Sequence, residues 1–296
     1  MYTLTRIENF GTALFYQVFT FLQFRPRLQA LTPKGNTVAI GASDSDKPIG
    51  LALAEIFPDS KSAEVLSIFV ARTHRRQGIG TALLTRLEEE LFLRGCTSAE
   101  LVYITGQPTT ISLERLLQKC NWKPPQPRRI VCKSTIDKIA NAPWMQKHSL
   151  PASYTIFPWV EITPEERVAI QQQQKAKPWI PPDLIPPTCD EHLEPLNSLG
   201  LRYQGQIVGW VLTERIAPDT ISYNLMFVRR DLQKMGRGIS LVTNAIQRQA
   251  KANIPRGIYT VWLTNSPMIS FVKKHMIPYL TSLEESRGSF KSFIDP

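Results

Sequence analysis

Two hydrophobic periods succeed one another along this chain, and they do so twice in the same order. "VLSIFV" (65–70) is a run apolar but for Ser67, with β-branched and aromatic residues, which predicts a buried strand. Directly after it, "GIGTALLTRLEEELFLRG" carries Ile79, Leu83, Leu87 and Leu91 at four-residue steps, which predicts a helix with one apolar face. Gly95 is placed to end that helix in the left-handed conformation. In the second half, "LMFV" (225–228) leads through a loop into the helical "GISLVTNAIQRQAKAN". A strand-like run follows each helix ("AELVYIT", "YTVWLT"), and then a shorter helix ("ISLERLLQK", "MISFVKK"). Near the N-terminus Phe10, Leu14, Val18 and Phe21 or Leu22 recur at helical spacing. They are expected to pack into a core; left exposed, their aromatic groups would shape an apolar acceptor site.

The repetition extends to individual positions. "SIFVARTHRRQGIG" lies over "LMFVRRDLQKMGRG" without a gap, so Phe69 and Val70 fall on Phe227 and Val228. Upstream, "PIGLALAEIFPDS" resembles "IVGWVLTERIAPD" at a spacing one residue greater, which sets Gly50 on Gly209 and Glu55 on Glu214. Such a shared order points to two copies of one α/β domain. The polar, aperiodic stretch "DKIANAPWMQKHSLPAS" is the expected joint. The copies are then residues 1–138 and 153–296, with 139–152 as linker. Within the second copy, "KPWIPPDLIPPTCDEHLEP" contains six prolines. Proline fixes φ and removes backbone donors, so this loop is stiff, either as a connector or as a wall of a substrate pocket.

The loops "RRQGIG" (75–80) and "QKMGRG" (233–238) each join a buried strand to the start of a helix. There the backbone N–H groups lack helical partners and the helix dipole is positive. Two glycines let the backbone approach a bulky anion closely. Together these features make a cradle for a pyrophosphate. Arg75, Arg76, Lys234 and Arg237 add positive charge, and Thr81 and Ser240 offer hydroxyls. A P-loop would end in GK[ST], and a dinucleotide fold would have a third glycine where Leu83 and Leu241 stand.

The pattern [Gln/Arg]-x-x-Gly-x-Gly, met at Arg75/Gly78/Gly80 and at Gln233/Gly236/Gly238, resembles the acyl-CoA-binding loop of the GNAT superfamily of N-acetyltransferases. The resemblance implies two tandem GNAT folds, each a mixed, mainly antiparallel sheet flanked by helices. It implies acetyl-CoA as donor, held by Phe69, Val70, Arg75, Arg76, Gln77, Gly78, Ile79, Gly80 and Thr81. In the second copy the corresponding set is Phe227, Val228, Gln233, Lys234, Met235, Gly236, Arg237, Gly238, Ile239 and Ser240. The pantetheine arm would lie along the strand ending at Val70 or Val228. The implied reaction is direct acetyl transfer to an amine through a tetrahedral intermediate.

A lysine-like amine is mostly protonated at neutral pH, so such a reaction gains from a base. Glu64 opens the strand that feeds the first loop, and histone-type GNAT enzymes have a general-base glutamate similarly placed; Ser222 stands at the matching position of the second copy. Glu55 and Glu214 are further base candidates, and Tyr223 could contact substrate. Many GNAT enzymes carry a tyrosine acid on the last helix. Here Leu117 and Phe271 occupy that place, and Tyr103 is a substitute donor. Glu64 favours the first copy as the catalyst, whereas the proline wall favours the second.

Composition narrows the acceptor and the setting. The chain has 296 residues, 43% of them apolar, and a net charge of +10. That balance fits a phosphate-rich ligand, and no nucleic-acid motif accompanies it. No apolar run reaches the ~18 residues of a membrane helix. The N-terminus lacks a basic leader and a cleavage site, so the expected location is the cytoplasm. Cys96, Cys120, Cys132 and Cys189 form no CxxC pair, and His74, His148, His192 and His275 are far apart, so no metal site is expected. No recurring acidic run suits a basic peptide. The reading is an acetyl-CoA-dependent N-acetyltransferase of a small-molecule amine, monomeric or homodimeric. The rival is a tandem GNAT protein that binds acyl-CoA as a sensor or scaffold without turnover.

Overall fold

The computed structural model describes residues 2–146, 150–233 and 236–294. The chain begins with β1 (Tyr2–Ile7), α1 (Phe10–Tyr16), α2 (Arg25–Gln29), β2 (Thr37–Asp44), β3 (Lys47–Phe57) and β4 (Ser62–Val70). It continues with α3 (Ile79–Leu93), β5 (Ser98–Ile104), α4 (Thr110–Lys119), β6 (Gln126–Thr135) and α5 (Ile136–Ile139). Then come β7 (Tyr154–Pro158), α6 (Pro164–Ala176), β8 (Leu199–Tyr203), β9 (Gln206–Ala217) and β10 (Thr220–Val228). Last are α7 (Arg237–Lys251), β11 (Arg256–Trp262), α8 (Ser266–Phe271) and β12 (Ser282–Ser292).

These elements form two compact units, Met1–Arg128 with Glu285–Pro296, and Arg129–Glu284. In the first unit the strand order is β1-β2-β3-β4-β5-β12, antiparallel except for β4 on β5. In the second it is β7-β8-β9-β10-β11-β6, antiparallel except for β10 on β11. Both are the mixed, mainly antiparallel α/β sheets expected. The units divide the chain differently from the repeat in the sequence. Residues 129–138 fold with the second unit, where β6 covers the edge of β11. The C-terminal stretch folds with the first unit, where β12 covers the edge of β5. An open edge would expose a row of unpaired N–H and C=O groups, and each sheet closes its edge with the strand that follows the other copy's last helices.

Helix α3 behaves as its periodicity predicts: Ile79, Leu83, Leu87 and Leu91 are all buried against β2, β3 and α4, and Gly95 has φ 86°. The opposite face of that sheet is covered by α1 and α2, through Ala13, Tyr16 and Leu28. The large apolar residues expected to pack into a core near the N-terminus do not do so. Phe10, Leu14, Val18, Phe21 and Leu22 are exposed, from 37% for Leu14 to 74% for Leu22. The buried face of α1 is Ala13 and Tyr16, one position out of phase with the large residues. Tyr16 can seat deeply because Gly41 beneath it has no side chain: a Cβ there would lie 2.6 Å from the ring.

The second unit has α7, α5 and α8 on one face of its sheet, around Ile246, Val261 and Met276. The other face is packed by α6 and the proline-rich loop, whose centre is an aromatic cluster of Trp159, Trp179, Trp210 and Phe227. Helix α6 opens on a reciprocal cap between Thr163 and Glu166, and Glu166 also holds Arg202 of β8. Among the described residues no helix is long and apolar enough to cross a membrane.

Candidate functional site

Each unit carries the same local construction. Strand β4 pairs with β3 as far as Val70, but its parallel pairing with β5 ends at Val65↔Leu101. Strand β10 pairs with β9 as far as Val228, and with β11 only to Tyr223↔Tyr259. Beyond those pairs the parallel strands diverge into a wedge, and one edge of residues 66–70 and of 224–228 faces it. A register shift sits at the apex of both wedges, at Leu66 in β4 and at Asn224 in β10. A bulge of this kind sharpens the local twist and ends pairing. Across the hairpin, Glu55 faces Glu64 and Glu214 faces Ser222. The turn between β9 and β10 is shorter than that between β3 and β4, which accounts for the unequal spacing of the repeat.

Gly50 and Gly209 lie opposite Val70 and Val228 at the open end of the wedge. A Cβ on Gly50 would meet the Phe69 carbonyl at 2.8 Å, and one on Gly209 the Phe227 carbonyl at 2.7 Å. The repeated glycines therefore let the inner strand lie close under the strand that borders the wedge.

At the mouth, the chain turns into α3 and α7 through Gly78 and Gly236, with φ of 80° and 79°. Both are left-handed positions that favour glycine, and both leave the first helical N–H groups open. Arg76 is also left-handed, at 66°. Residues 75–78 are exposed, as an anion cradle requires. Arg75 donates from Nε to the Val70 carbonyl at 3.0 Å, and Gln233 from Nε2 to the Val228 carbonyl at 2.8 Å. The first residue of the motif is thus a latch that ties the loop to the end of the strand, and arginine or glutamine serves because both end in N–H donors. Ser240 donates its hydroxyl to the Gly236 carbonyl at 3.2 Å, which closes the turn. Ile79 is buried in the core and offers the site only its main chain. Phe69 is partly exposed beneath Arg75, whereas Phe227 is buried among the tryptophans. Lys234 and Met235, expected in the second loop, lie outside the described residues.

Different groups stand beside the two wedges. In the first unit α4 comes close: a Cβ on Gly80 would lie 3.8 Å from both Leu116 and Val70. Tyr103 of β5 donates its hydroxyl to Glu114 of α4 at 2.7 Å, and Arg287 holds the same carboxylate at 3.0 Å. In the second unit the wedge opens into a cavity of 930 Å³. Its wall runs from Gln233, Gly236, Gly238 and Ile239 along Leu225–Val228, and includes Pro181, Asp183 and Leu184 of the proline-rich loop. That loop is held in place by Trp210, whose Nε1 donates to the Leu184 carbonyl at 3.1 Å, and by Gln174, which bonds Trp179 and Ile180. Pockets of ~300–1,000 Å³ hold ligands of drug size.

The titratable candidates have distinct surroundings. Glu64 sits between Glu55 of β3 and Glu100 of β5 in one cross-strand row. Burial first, and then Glu100 and Glu55, raise its carboxyl above the usual range. Arg27 pairs with Glu55 at 2.9 Å and Arg128 with Glu100. Glu214 accepts from Asn224 Nδ2 at 3.0 Å, and Asn224 lines the cavity at the apex of the wedge. Sequence patterns missed Asn224, since a bulge is a matter of strand register. Tyr223 lines the cavity, but its hydroxyl donates to Gln249 at 2.7 Å, and burial raises it well beyond its ordinary value. Tyr103 is raised likewise, by burial and then by Glu114. Leu117 is buried in the core and Phe271 lines the cavity edge-on to Trp144, so neither last helix carries a hydroxyl acid at that place. Burial, and then Glu88, push the Cys120 thiol above its ordinary value. Among the described residues no group of three His, Cys, Asp or Glu side chains is arranged to hold a metal ion.

Comparison with known proteins bears on this construction. Residues 3–122 match the family model described as Acetyltransferase (GNAT) family. No curated protein matches the chain by sequence. Among solved structures, a tandem GNAT protein from the clavulanic acid biosynthesis pathway is similar over 100% of both chains, with a TM-score of 0.72 at 12% identity. A GCN5-related N-acetyltransferase from Sphaerobacter thermophilus is similar over 98% of this chain and 95% of its own, with a TM-score of 0.65 at 16% identity. A probable N-acyltransferase from Enterococcus faecalis V583 is similar over 99% and 73%, with a TM-score of 0.54 at 10% identity. At these identities the likeness is one of fold.

Proposed function

Because residues 3–122 belong to the acetyltransferase (GNAT) family and the whole chain has the tandem GNAT fold, that of N-acyltransferases, we propose that it transfers an acyl group from acyl-CoA to a small-molecule amine, with the donor held in the second unit. The observation that carries this reading is the 930 Å³ cavity, which joins the Gly236–Gly238 loop, the wedge and the proline wall. Pyrophosphate would rest on the N–H groups at the start of α7, and residues 225–228 would offer main-chain partners to the amides of pantetheine. When bound, the thioester supplies an activated acyl carbon, for which acetyl is the simplest case. Asp183 and Asn224 line the same cavity and present polar groups to an incoming amine. Glu214, held beside the apex by Asn224, takes the amine's proton through water. In the first unit the base candidate is Glu64, with its raised carboxyl, across the hairpin from Glu55, the counterpart of Glu214.

Calorimetry with acetyl-CoA tests donor binding. The wild-type chain is expected to bind, and Gly236→Val to lose at least tenfold in affinity, because valine resists a φ of 79°. Undiminished binding by Gly236→Val would remove the second unit from the account. The release of CoA thiol across a panel of small amines tests turnover. A second reading rests on the missing acid: Leu117 and Phe271 cannot donate a proton, and the hydroxyls of Tyr103 and Tyr223 are engaged. Binding without thiol release on any amine would favour an acyl-CoA sensor.

A further inference from the structure

The pairing of β10 with β11 closes the wedge at Tyr223↔Tyr259, yet the cavity does not stop there. Its wall continues past the apex on the α7 side of the sheet, to Gly257 of β11 and Ser134 of β6, which face each other across the strands. Gly257 lies two residues beyond the apex, roughly 6.6 Å at the rise of a β-strand. Having no side chain, it leaves this end open: a Cβ there would lie 3.6 Å from the Tyr223 ring. A pantetheine arm laid along the wedge ends at the apex, so the space beyond it is for what the thiol carries.

We propose that this extension, lined by Ile136, Ile139, Trp144, Ile246 and Met276, receives the chain of a medium-length aliphatic acyl-CoA, so that the preferred donor is longer than acetyl. The proposal rests on the reading of the second unit as an acyl-CoA site. Four polar side chains at this end are already satisfied within the protein. Ser134 donates to the Tyr279 carbonyl at 2.6 Å, Trp144 to the His275 carbonyl at 3.2 Å, and Tyr259 to the Met276 sulfur at 3.1 Å. Gln249 donates to the carbonyls of Ile254 and Arg256, and accepts from Tyr223. These groups are not free to hold an amine, whereas an apolar cavity stays dry and takes an apolar ligand. Methionine side chains adapt to chains of differing shape. The amine belongs on the other side, where Asp183 and Asn224 stand.

The test is calorimetry of the whole chain with CoA and with acetyl-, butanoyl-, hexanoyl- and octanoyl-CoA. Affinity is expected to rise about fourfold per methylene until the extension is full, the fold-change that corresponds to burying one CH₂. Ile136→Trp and, independently, Ile246→Phe plug the extension and should flatten that rise; capture of free CoA by each variant reports that its loop and wedge are folded. If CoA and acetyl-CoA bind but longer chains gain nothing, or if the gain survives both plugs, the proposal is overturned and the acyl-CoA site stands. If no CoA species binds, the reading of the site falls and the proposal with it.

Discussion

Gly78 and Gly236 do the same work at the heads of two helices, and that work is a backbone angle that most side chains resist. Such a demand is local, so it was legible in the bare sequence. The latch beside it was not: Arg75 and Gln233 read as ligand-binding residues, and only the fold brings their N–H groups to the carbonyls of Val70 and Val228. Gln233→Leu removes one such bond of about 1 kcal/mol, so acetyl-CoA should bind about fivefold more weakly by calorimetry. Glu64 makes a prediction in pH. Its native carboxyl holds its proton more tightly than an unfolded one, because of burial first and then its acidic neighbours. The wild type therefore loses stability as pH rises above the unfolded value of about 4.3. Glu64→Gln lacks that loss. Its melting temperature should exceed the wild type's at pH 7, and the excess should vanish near pH 3.

Among the elements, the strands beside the wedge show how closely backbone packing constrains sequence. A Cβ on Gly209 would lie 2.7 Å from the Phe227 carbonyl, which cannot swing aside as a side chain can. Gly209→Ala should cost about 1–3 kcal/mol, read from the denaturant midpoint. The proline-rich loop makes the complementary case. Its stiffness was evident from composition, but its role as a cavity wall depends on Trp210 holding the Leu184 carbonyl. Trp210→Phe keeps the ring and drops the bond. The KM for the amine should rise several-fold while acetyl-CoA affinity changes less, because the lost bond holds the proline wall and the main chain of 225–228 is untouched. Helix α1 shows a failure of pattern reading. Large apolar residues at helical spacing suggested the core face, but a small alanine and a tyrosine over Gly41 form it instead. Hydrophobic periodicity gives the presence of a face, and the partner surface decides which residues it takes.

For the whole molecule, the repeat in the sequence and the units of the fold divide the chain at different places. The first unit needs residues 286–292 to cover β5, and the second needs residues 129–135 to cover β11. A chain ending at residue 284 should thus destabilise the first unit, although residues 1–128 all remain. Residues 129–284 expressed alone should fold cooperatively and bind acetyl-CoA, whereas residues 1–128 should not fold without the C-terminal segment. Circular dichroism melts of the three fragments check this, and a stable, cooperatively folded 1–128 would refute it.

Strand, loop and helix, the two glycines and the doubling of the domain were all determined by the sequence alone, because periodicity and φ preference act between residues a few positions apart. The tertiary structure alone decided which strand closes each sheet, where Asn224 interrupts the ladder, and that the proline-rich loop walls the cavity of the second unit. Those outcomes depend on pairings between residues far apart in the chain. Any strand of suitable alternation can satisfy a sheet edge, so local pattern does not choose between candidates.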